Sequence, residues 1–228
     1  MKKTILITGS TDGIGLATAK SLLQLGHTVL IHGRSDKKLS AVKEQLLVIA
    51  DAQNIYTYKA DLSRFDDIKL LSEYIKRDHQ SLDVLINNAG VFVVPDKVSD
   101  DGLDVRFMVN TIAPYMLTKN LLPLLGIHGR VINLSSAAQS SLNPSELLKP
   151  SILSDNAVYA KSKLALTMWS FNLSAELGKD STMILAVNPK SFLGSKMVSQ
   201  AYGVSGSDLN IGADILVKAA ISDEFANA

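Results

Sequence analysis

The stretch "TILITGSTDGIGLATAKSLL", Thr4–Leu23, runs from a short apolar segment through a glycine-rich turn into a helical pattern. Thr4–Thr8 reads as a buried strand, and an amphipathic helix is expected over Gly15–Leu25. Between them Gly9, Gly13 and Gly15 form the pattern G-x-x-x-G-x-G. One glycine permits a sharp turn, another lets the backbone approach a pyrophosphate, and the helix N-terminus offers N–H groups to an anion. A plain turn competes with this reading, and the cluster alone leaves the two about even. Its place after the first strand of an alternating chain favours a dinucleotide, because such sheets bind ligands there.

The alternation continues outward from that stretch. Thr28–Gly33, Ile55–Ala60, Asp83–Asn88, Arg130–Ser136 and Met183–Pro189 read as further strands. Helices are expected over Lys37–Asp51, Phe65–Asp78, Leu103–Leu124, Tyr159–Leu177 and Ile211–Ile221. Several strands are apolar on both faces, as in a parallel sheet covered on each side by helices. Right-handed crossovers then give an α/β, three-layer, doubly wound parallel sheet, a Rossmann fold. No repeat, low-complexity tract or linker divides the 228 residues, so one domain over 1–228 is expected.

Composition narrows the function classes. The chain is 46% hydrophobic and 20% charged with a net charge of +1, which suits a globular protein and gives no footprint for nucleic acid. It has no cysteine, hence no thiol nucleophile and no thiolate metal site. The four histidines show no pairing at metal-ligand spacing, so no metal is expected. The opening "MKKTILIT" is too short for a secretion signal, and no stretch approaches the roughly 20 apolar residues of a membrane span. A cytoplasmic protein is expected.

The end of the second strand, "IHGRS", bears on the cofactor. An acidic residue about 20 positions beyond the glycine turn would serve the ribose hydroxyls of NAD, but here Arg34 precedes any carboxylate. An arginine pairs with a 2′-phosphate, which favours NADP(H) over NAD(H). A solvent-facing Arg34 is the competing reading, and Asp12 stands where a basic residue often assists phosphate binding.

These residues, with five further motifs in order, resemble the short-chain dehydrogenase/reductase family over nearly the whole chain. "TGSTDGIG" (Thr8–Gly15) resembles its cofactor turn, which implies Gly9, Ser10, Thr11, Asp12, Gly13, Ile14 and Gly15 in cofactor binding. "ADL" resembles the pair beside the adenine, Asp61 and Leu62. "NNAG" resembles the segment that supports the sheet and borders the adenosine ribose, implying Asn87, Ala89 and Gly90. Asn110 in "FMVNTIAP" is similar to the active-site asparagine. "VINLSS" resembles the strand that ends in the catalytic serine, by position Ser136, with Ser135 as the competitor. "YAKSK" resembles the family's Y-x-x-x-K, Tyr159 and Lys163.

The resemblance implies hydride transfer between a nicotinamide and a carbonyl or hydroxyl group, with Tyr159 as acid in reduction and base in oxidation. A phenol of pKa about 10 needs a drop of roughly 3 units to work as a base near neutrality. One cation at about 4 Å could supply roughly 4 kcal/mol of this, and Lys163 shares the helix face of Tyr159 whereas Lys161 does not. The resemblance also implies that Lys163 holds the nicotinamide ribose, that Ser136 holds the substrate oxygen, and that Asn110 relays protons through water.

Three departures matter. The segment between Ser136 and Tyr159 is longer than usual and resembles the retinol-dehydrogenase-like branch, which implies a loop with a short helix beside the substrate mouth and a bulky apolar carbonyl or alcohol substrate. "NPKSFLGSKM" carries Lys190 where the family has glycine, while Pro189 and Ser195 still fill the positions that meet the nicotinamide carboxamide. The ending "ISDEFANA" leaves open a sheet without its last edge strand. A non-catalytic NADP(H)-sensing protein is the alternative function, and a fold-related epimerase or dehydratase is a third. The family's usual dimer faces fall near Leu103–Leu124 and Tyr159–Leu177, so a homo-oligomer stays open.

Overall fold

Six apolar segments pair side by side because each is buried on both faces and can satisfy its backbone only through its neighbours. They are β1 (Thr4–Ile7), β2 (Thr28–Gly33), β3 (Ile55–Lys59), β4 (Val84–Asn87), β5 (Arg130–Leu134) and β6 (Met183–Val187). The computed structural model describes residues 1–225. Its sheet has the order β3-β2-β1-β4-β5-β6, with every pairing parallel. The order reverses between β1 and β4, and a crevice opens beyond the strand ends at such a point.

Alternation along each strand divides the core in two. Ile5, Ile7, Val29, Ile31 and Ile132 face α1 (Gly13–Gln24), α2 (Asp36–Leu47) and α8 (Leu209–Ile221). Leu6, Leu30, Leu85 and Val131 face α3 (Phe65–Asp78), α5 (Ala113–Leu125) and α6 (Asp155–Leu177). The result is the expected three-layer, doubly wound α/β fold. At the far end Arg130 donates to the carbonyls of Ala219 (3.0 Å) and Ser222 (2.7 Å), satisfying acceptors at the end of α8.

Four elements differ from expectation, the first being α2, which ends at Leu47 rather than Asp51 and is followed by a 3₁₀ turn at Ala52–Asn54. α6 begins four residues before Tyr159, because the Ser154 hydroxyl accepts from the Ala157 N–H and Asp155 occupies the first turn. The helix expected over Leu103–Leu124 is divided into α4 (Val105–Phe107), a π-helical turn (Met108–Ile112) and α5. Pro114 has no N–H to offer Asn110, and the Ala113 N–H reaches back to Met108. A short helix, α7 (Lys196–Tyr202), was not anticipated; Ser195 caps it and Gly203, at φ 67°, ends it.

The segment between Ser136 and Tyr159 is a loop carrying a 3₁₀ turn at Pro144–Leu148, closed by a reciprocal Asn143–Glu146 cap. Lys161 donates to Ser141 O (2.6 Å) and pairs with Glu146 (3.1 Å), so it anchors this loop. Within "ISDEFANA", Asp223–Phe225 forms a 3₁₀ turn, and residues 226–228 lie outside the described residues. No described helix is long and apolar enough to cross a membrane.

Candidate active site

A cavity of about 870 Å³ lies at the reversal of strand order, running from the glycine turn to Tyr159. Its first wall is the turn between β1 and α1. Gly9 (φ 64°) and Gly13 (φ 55°) take left-handed backbone, and a Cβ on Gly9 would come within 2.8 Å of Ala89 Cα. Gly9, Thr11, Asp12, Gly13 and Ile14 line the cavity. Ser10 and Gly15 do not; the Ser10 hydroxyl is buried, donating to Ile7 O and accepting from the His32 N–H. Gly15 is packed so closely that a Cβ would lie 2.5 Å from Asn88 Nδ2.

Two residues outside the expected set hold this turn. Asn88 donates to Thr8 O (2.8 Å) and Gly9 O (3.1 Å). Asn87 points the other way, buried among Asn133 (2.8 Å) and Thr118 (3.3 Å) and off the cavity. Strand alternation is the signal that separates the two: if Asn87 enters the core, its successor faces the opposite side. His32 accepts from the Gly9 N–H through Nδ1 (3.1 Å), and its Nε2 meets Ala60 O at 3.1 Å. That pairing requires a neutral ring, and burial pushes its pKa down to about 4.

The sign of the consequence follows. In the unfolded chain the imidazole protonates near pH 6.5, whereas the folded ring resists to about 4, so acidification through this window favours unfolding. Stability contributed above pH 6.5 is expected to fall by about 2 kcal/mol between pH 7 and pH 5. Urea denaturation at both pH values checks it, with His32→Gln showing a shallower dependence.

Farther along, Arg34, Asp61, Leu62, Ala89 and Gly90 border the cavity. Arg34 pairs loosely with Asp61 at 3.8 Å, and its side chain is 65% exposed, so its guanidinium is accessible to an anion. A Cβ on Gly33 would lie 2.6 Å from Thr11 Cγ2, so β2 and the turn meet without space for a side chain. These glycine contacts form a cradle that suits the close backbone approach of a dinucleotide. Its volume falls within the range of small-molecule sites.

At the other end Tyr159 and Lys163 project from α6, and Ser136 from the end of β5. Ser136 lies beside the phenol and accepts from the Ala138 N–H through its hydroxyl. Ser135 is turned toward α6, 2.6 Å from the Thr167 hydroxyl. Phe92 packs on the Tyr159 ring with centroids 4.6 Å apart, and Tyr202 packs on Phe92 at 5.7 Å. Burial raises the phenol pKa; Ser136 pulls it partly back and Tyr202 adds to the rise. The expected lowering by Lys163 is therefore absent here. Lys163 is buried, its Nζ sits 5.7 Å from the Tyr159 ring centroid, and it donates to Leu134 O (2.6 Å). Burial brings its own pKa down to about 8.

Asn110 stands behind Gly90, off the cavity. Its Oδ1 accepts from the Val91 N–H (2.8 Å), while Nδ2 donates to Val91 O (2.9 Å) and Ser162 Oγ (2.9 Å). Ser162 in turn donates to the Tyr159 carbonyl (2.7 Å). In this arrangement its amide joins the Val91 segment to α6. Pro189 and Ser195 line the cavity, and the loop between them holds Lys190 at φ 94° and Phe192 at φ 55°. Left-handed backbone costs a non-glycine residue roughly 1–2 kcal/mol, so the loop keeps a glycine-like conformation although a lysine occupies it. Of the long loop before Tyr159, only Ser136 and Ala138 reach the cavity. Among the described residues no group of three potential metal ligands gathers.

A family model described as short chain dehydrogenase matches residues 3–202. Polyprenol dehydrogenase of Homo sapiens is 34% identical over 196 residues, which are 81% of this chain and 58% of that protein. Retinol dehydrogenase 13 of Homo sapiens is 29% identical over 192 residues, 82% of this chain and 58% of that one. The chain thus spans 58% of the length of these two curated relatives. A crystal structure of a metagenomic short-chain oxidoreductase in complex with NADP superposes with a TM-score of 0.73 at 28% identity. That match covers 97% of this chain and 92% of the other.

Proposed function

The chain belongs to the short-chain dehydrogenase family, and from that premise we propose that it is an NADP(H)-dependent oxidoreductase acting on a carbonyl or hydroxyl group. When bound, the nicotinamide supplies or accepts the hydride. Residues 1–228 act as one domain, the glycine turn and β2 holding the cofactor and the loops of the C-terminal half holding the substrate. The observation that carries the reading is the convergence of Ser136, Tyr159 and Lys163 at one end of a cavity whose other end is the glycine cradle.

Within it, Ser136 holds the substrate oxygen beside the phenol, and Tyr159 gives that oxygen its proton in reduction. A phenol kept protonated by burial is suited to the acid role in reduction. Lys163 presents an ammonium to the cofactor ribose, and Asn110 keeps α6 in register with the Val91 segment. Val93, Val94, Val98 and Phe92 give the mouth an apolar wall, which fits a bulky apolar substrate. The relatives named for polyprenol and retinol are in keeping with that class. A cytoplasmic location belongs to the same proposal.

Titration with NADPH and NADH, followed by turnover on a panel of apolar carbonyls, tests it. NADPH should bind about tenfold or more tightly than NADH, and Arg34→Ala should remove most of that preference, since a charged pair with phosphate is lost. A preference for NADH would overturn the Arg34 assignment. Tight binding without turnover on any substrate would favour the cofactor-sensing alternative.

A further inference from the structure

We propose that Lys196 is a cofactor-phosphate ligand which Asp12 holds over the glycine turn, and that α7 thereby links phosphate binding to the wall of the substrate cavity. The inference rests on the dinucleotide reading above. Asp12 caps α1: one carboxylate oxygen accepts from the Gly13 N–H (2.9 Å) and the other pairs with the Lys196 ammonium, 184 residues away in sequence. Both side chains line the cavity. A Cβ on Gly13 would lie 4.0 Å from Ser195 Cβ, so the turn and the start of α7 are within contact distance.

Asp12 by itself opposes the function of the turn. A carboxylate at the helix N-terminus takes one of the N–H groups that an anion would use, and repels a phosphate that approaches the rest. Lys196 cancels that charge and leaves a mobile ammonium at the place a phosphate would reach. Its side chain is 73% exposed and that of Asp12 48%, so the pair can exchange partners without opening the core. Lys38 also acts on Asp12, so two ammonium groups favour this carboxylate's charge.

The same short helix reaches the substrate end. Met197 and Val198 line the cavity, and Tyr202, at the last position of α7, packs on Phe92, which packs on Tyr159. A phosphate that draws Lys196 onto itself fixes the first residue of α7, and the helix carries that constraint to Tyr202. Cofactor binding would thus order the aromatic wall before the substrate arrives.

Fluorescence titration of the full chain with NADPH and with NADH tests this on Lys196→Ala, Asp12→Ala and the double variant. Lys196→Ala is expected to weaken binding by about tenfold, as loss of one charge-assisted contact does, and the loss should shrink in high salt. The double variant should bind more tightly than Lys196→Ala, because the uncompensated carboxylate is gone. A loss confined to NADPH places the ammonium on the 2′-phosphate, whereas an equal loss with NADH places it on the pyrophosphate. Limited proteolysis gives a second readout: NADPH should protect the 190–204 segment in the wild type and not in Lys196→Ala. Lys196→Ala that binds as the wild type does, or a double variant no better than the single one, overturns the inference. A wild type that binds neither dinucleotide overturns the cofactor reading instead.

Discussion

Replacing Tyr159 by phenylalanine is expected to lower the rate of carbonyl reduction by about 10²–10⁴-fold, the range for loss of one positioned proton donor. The ring itself should stay in place, since phenylalanine keeps the packing on Phe92, where the centroids lie 4.6 Å apart. NADPH affinity should therefore change little, and kcat should carry the loss. The pH dependence sharpens the test. Burial holds the phenol protonated through neutrality, so reduction by the wild type should not decline for want of that proton until well into the alkaline range. Lys163, with its pKa brought down to about 8, loses its charge sooner, and a decline centred near pH 8 would report the lysine. Steady-state kinetics on a reducible substrate, with cofactor affinity measured separately, checks both outcomes. Wild-type turnover by Tyr159→Phe would remove the phenol from the mechanism.

Arg106→Leu is expected to destabilise the fold by about 3–5 kcal/mol, the range for leaving one member of a buried ion pair without its partner. Arg106 and Asp104 are both fully buried, joined through Nε (2.9 Å) and Nη2 (2.7 Å). The other guanidinium nitrogen, Nη1, pairs with Asp155 in the first turn of α6, and Lys97 approaches the same carboxylate at 3.2 Å. The guanidinium therefore ties the segment that leads to Asn110 to the start of the helix that carries Tyr159, four residues beyond Asp155. For a domain of this size the loss corresponds to a fall in Tm of roughly 6–20 °C. Thermal unfolding followed by circular dichroism measures it. A double variant, Asp104→Asn with Arg106→Met, should regain part of the loss because no carboxylate is left buried and alone. If Arg106→Leu unfolds within about 1 kcal/mol of the wild type, the network is not the tie described.

Much of the fold was legible because its determinants are local. The strand of Thr28–Gly33 and the helix of Phe65–Asp78 were bounded correctly, since apolar runs, acidic first turns and basic last turns act over a few residues. The break at Met108–Ile112 does have a sequence signal, since Pro114 falls inside the helix expected over Leu103–Leu124 and an interior proline removes an i→i−4 bond, but the sequence does not say that a π-turn takes up the break. α7, by contrast, lacks a sequence signal: among the residues from Lys196 to Tyr202 none is buried, so no apolar periodicity marks it.

The candidate site divides along the same line. The roles of Ser136, Tyr159 and Lys163 were implied by the family resemblance, whereas the choice of Lys163 over Lys161 could be read from spacing, because four residues on a helix return to one face. Their electrostatics could not. Lys161 is turned to Glu146, Lys163 to the Leu134 carbonyl, and the phenol pKa is raised rather than lowered. Those facts depend on which groups are buried beside one another, and burial is set by segments far apart in sequence.

By itself, then, the sequence determined the layer order, the glycine turn and the Tyr159–Lys163 pair, all consequences of backbone geometry repeating over short distances. Only the tertiary structure decided that Asn88 and not Asn87 holds the turn, that Asn110 is locked behind Gly90, that His32 is neutral, and that Asp12 meets Lys196. Each of these is a hydrogen bond or an ion pair between elements whose separation the chain alone does not specify. Whether a polar side chain is a ligand, a brace or a repelling charge depends on what the fold brings within about 3 Å of it.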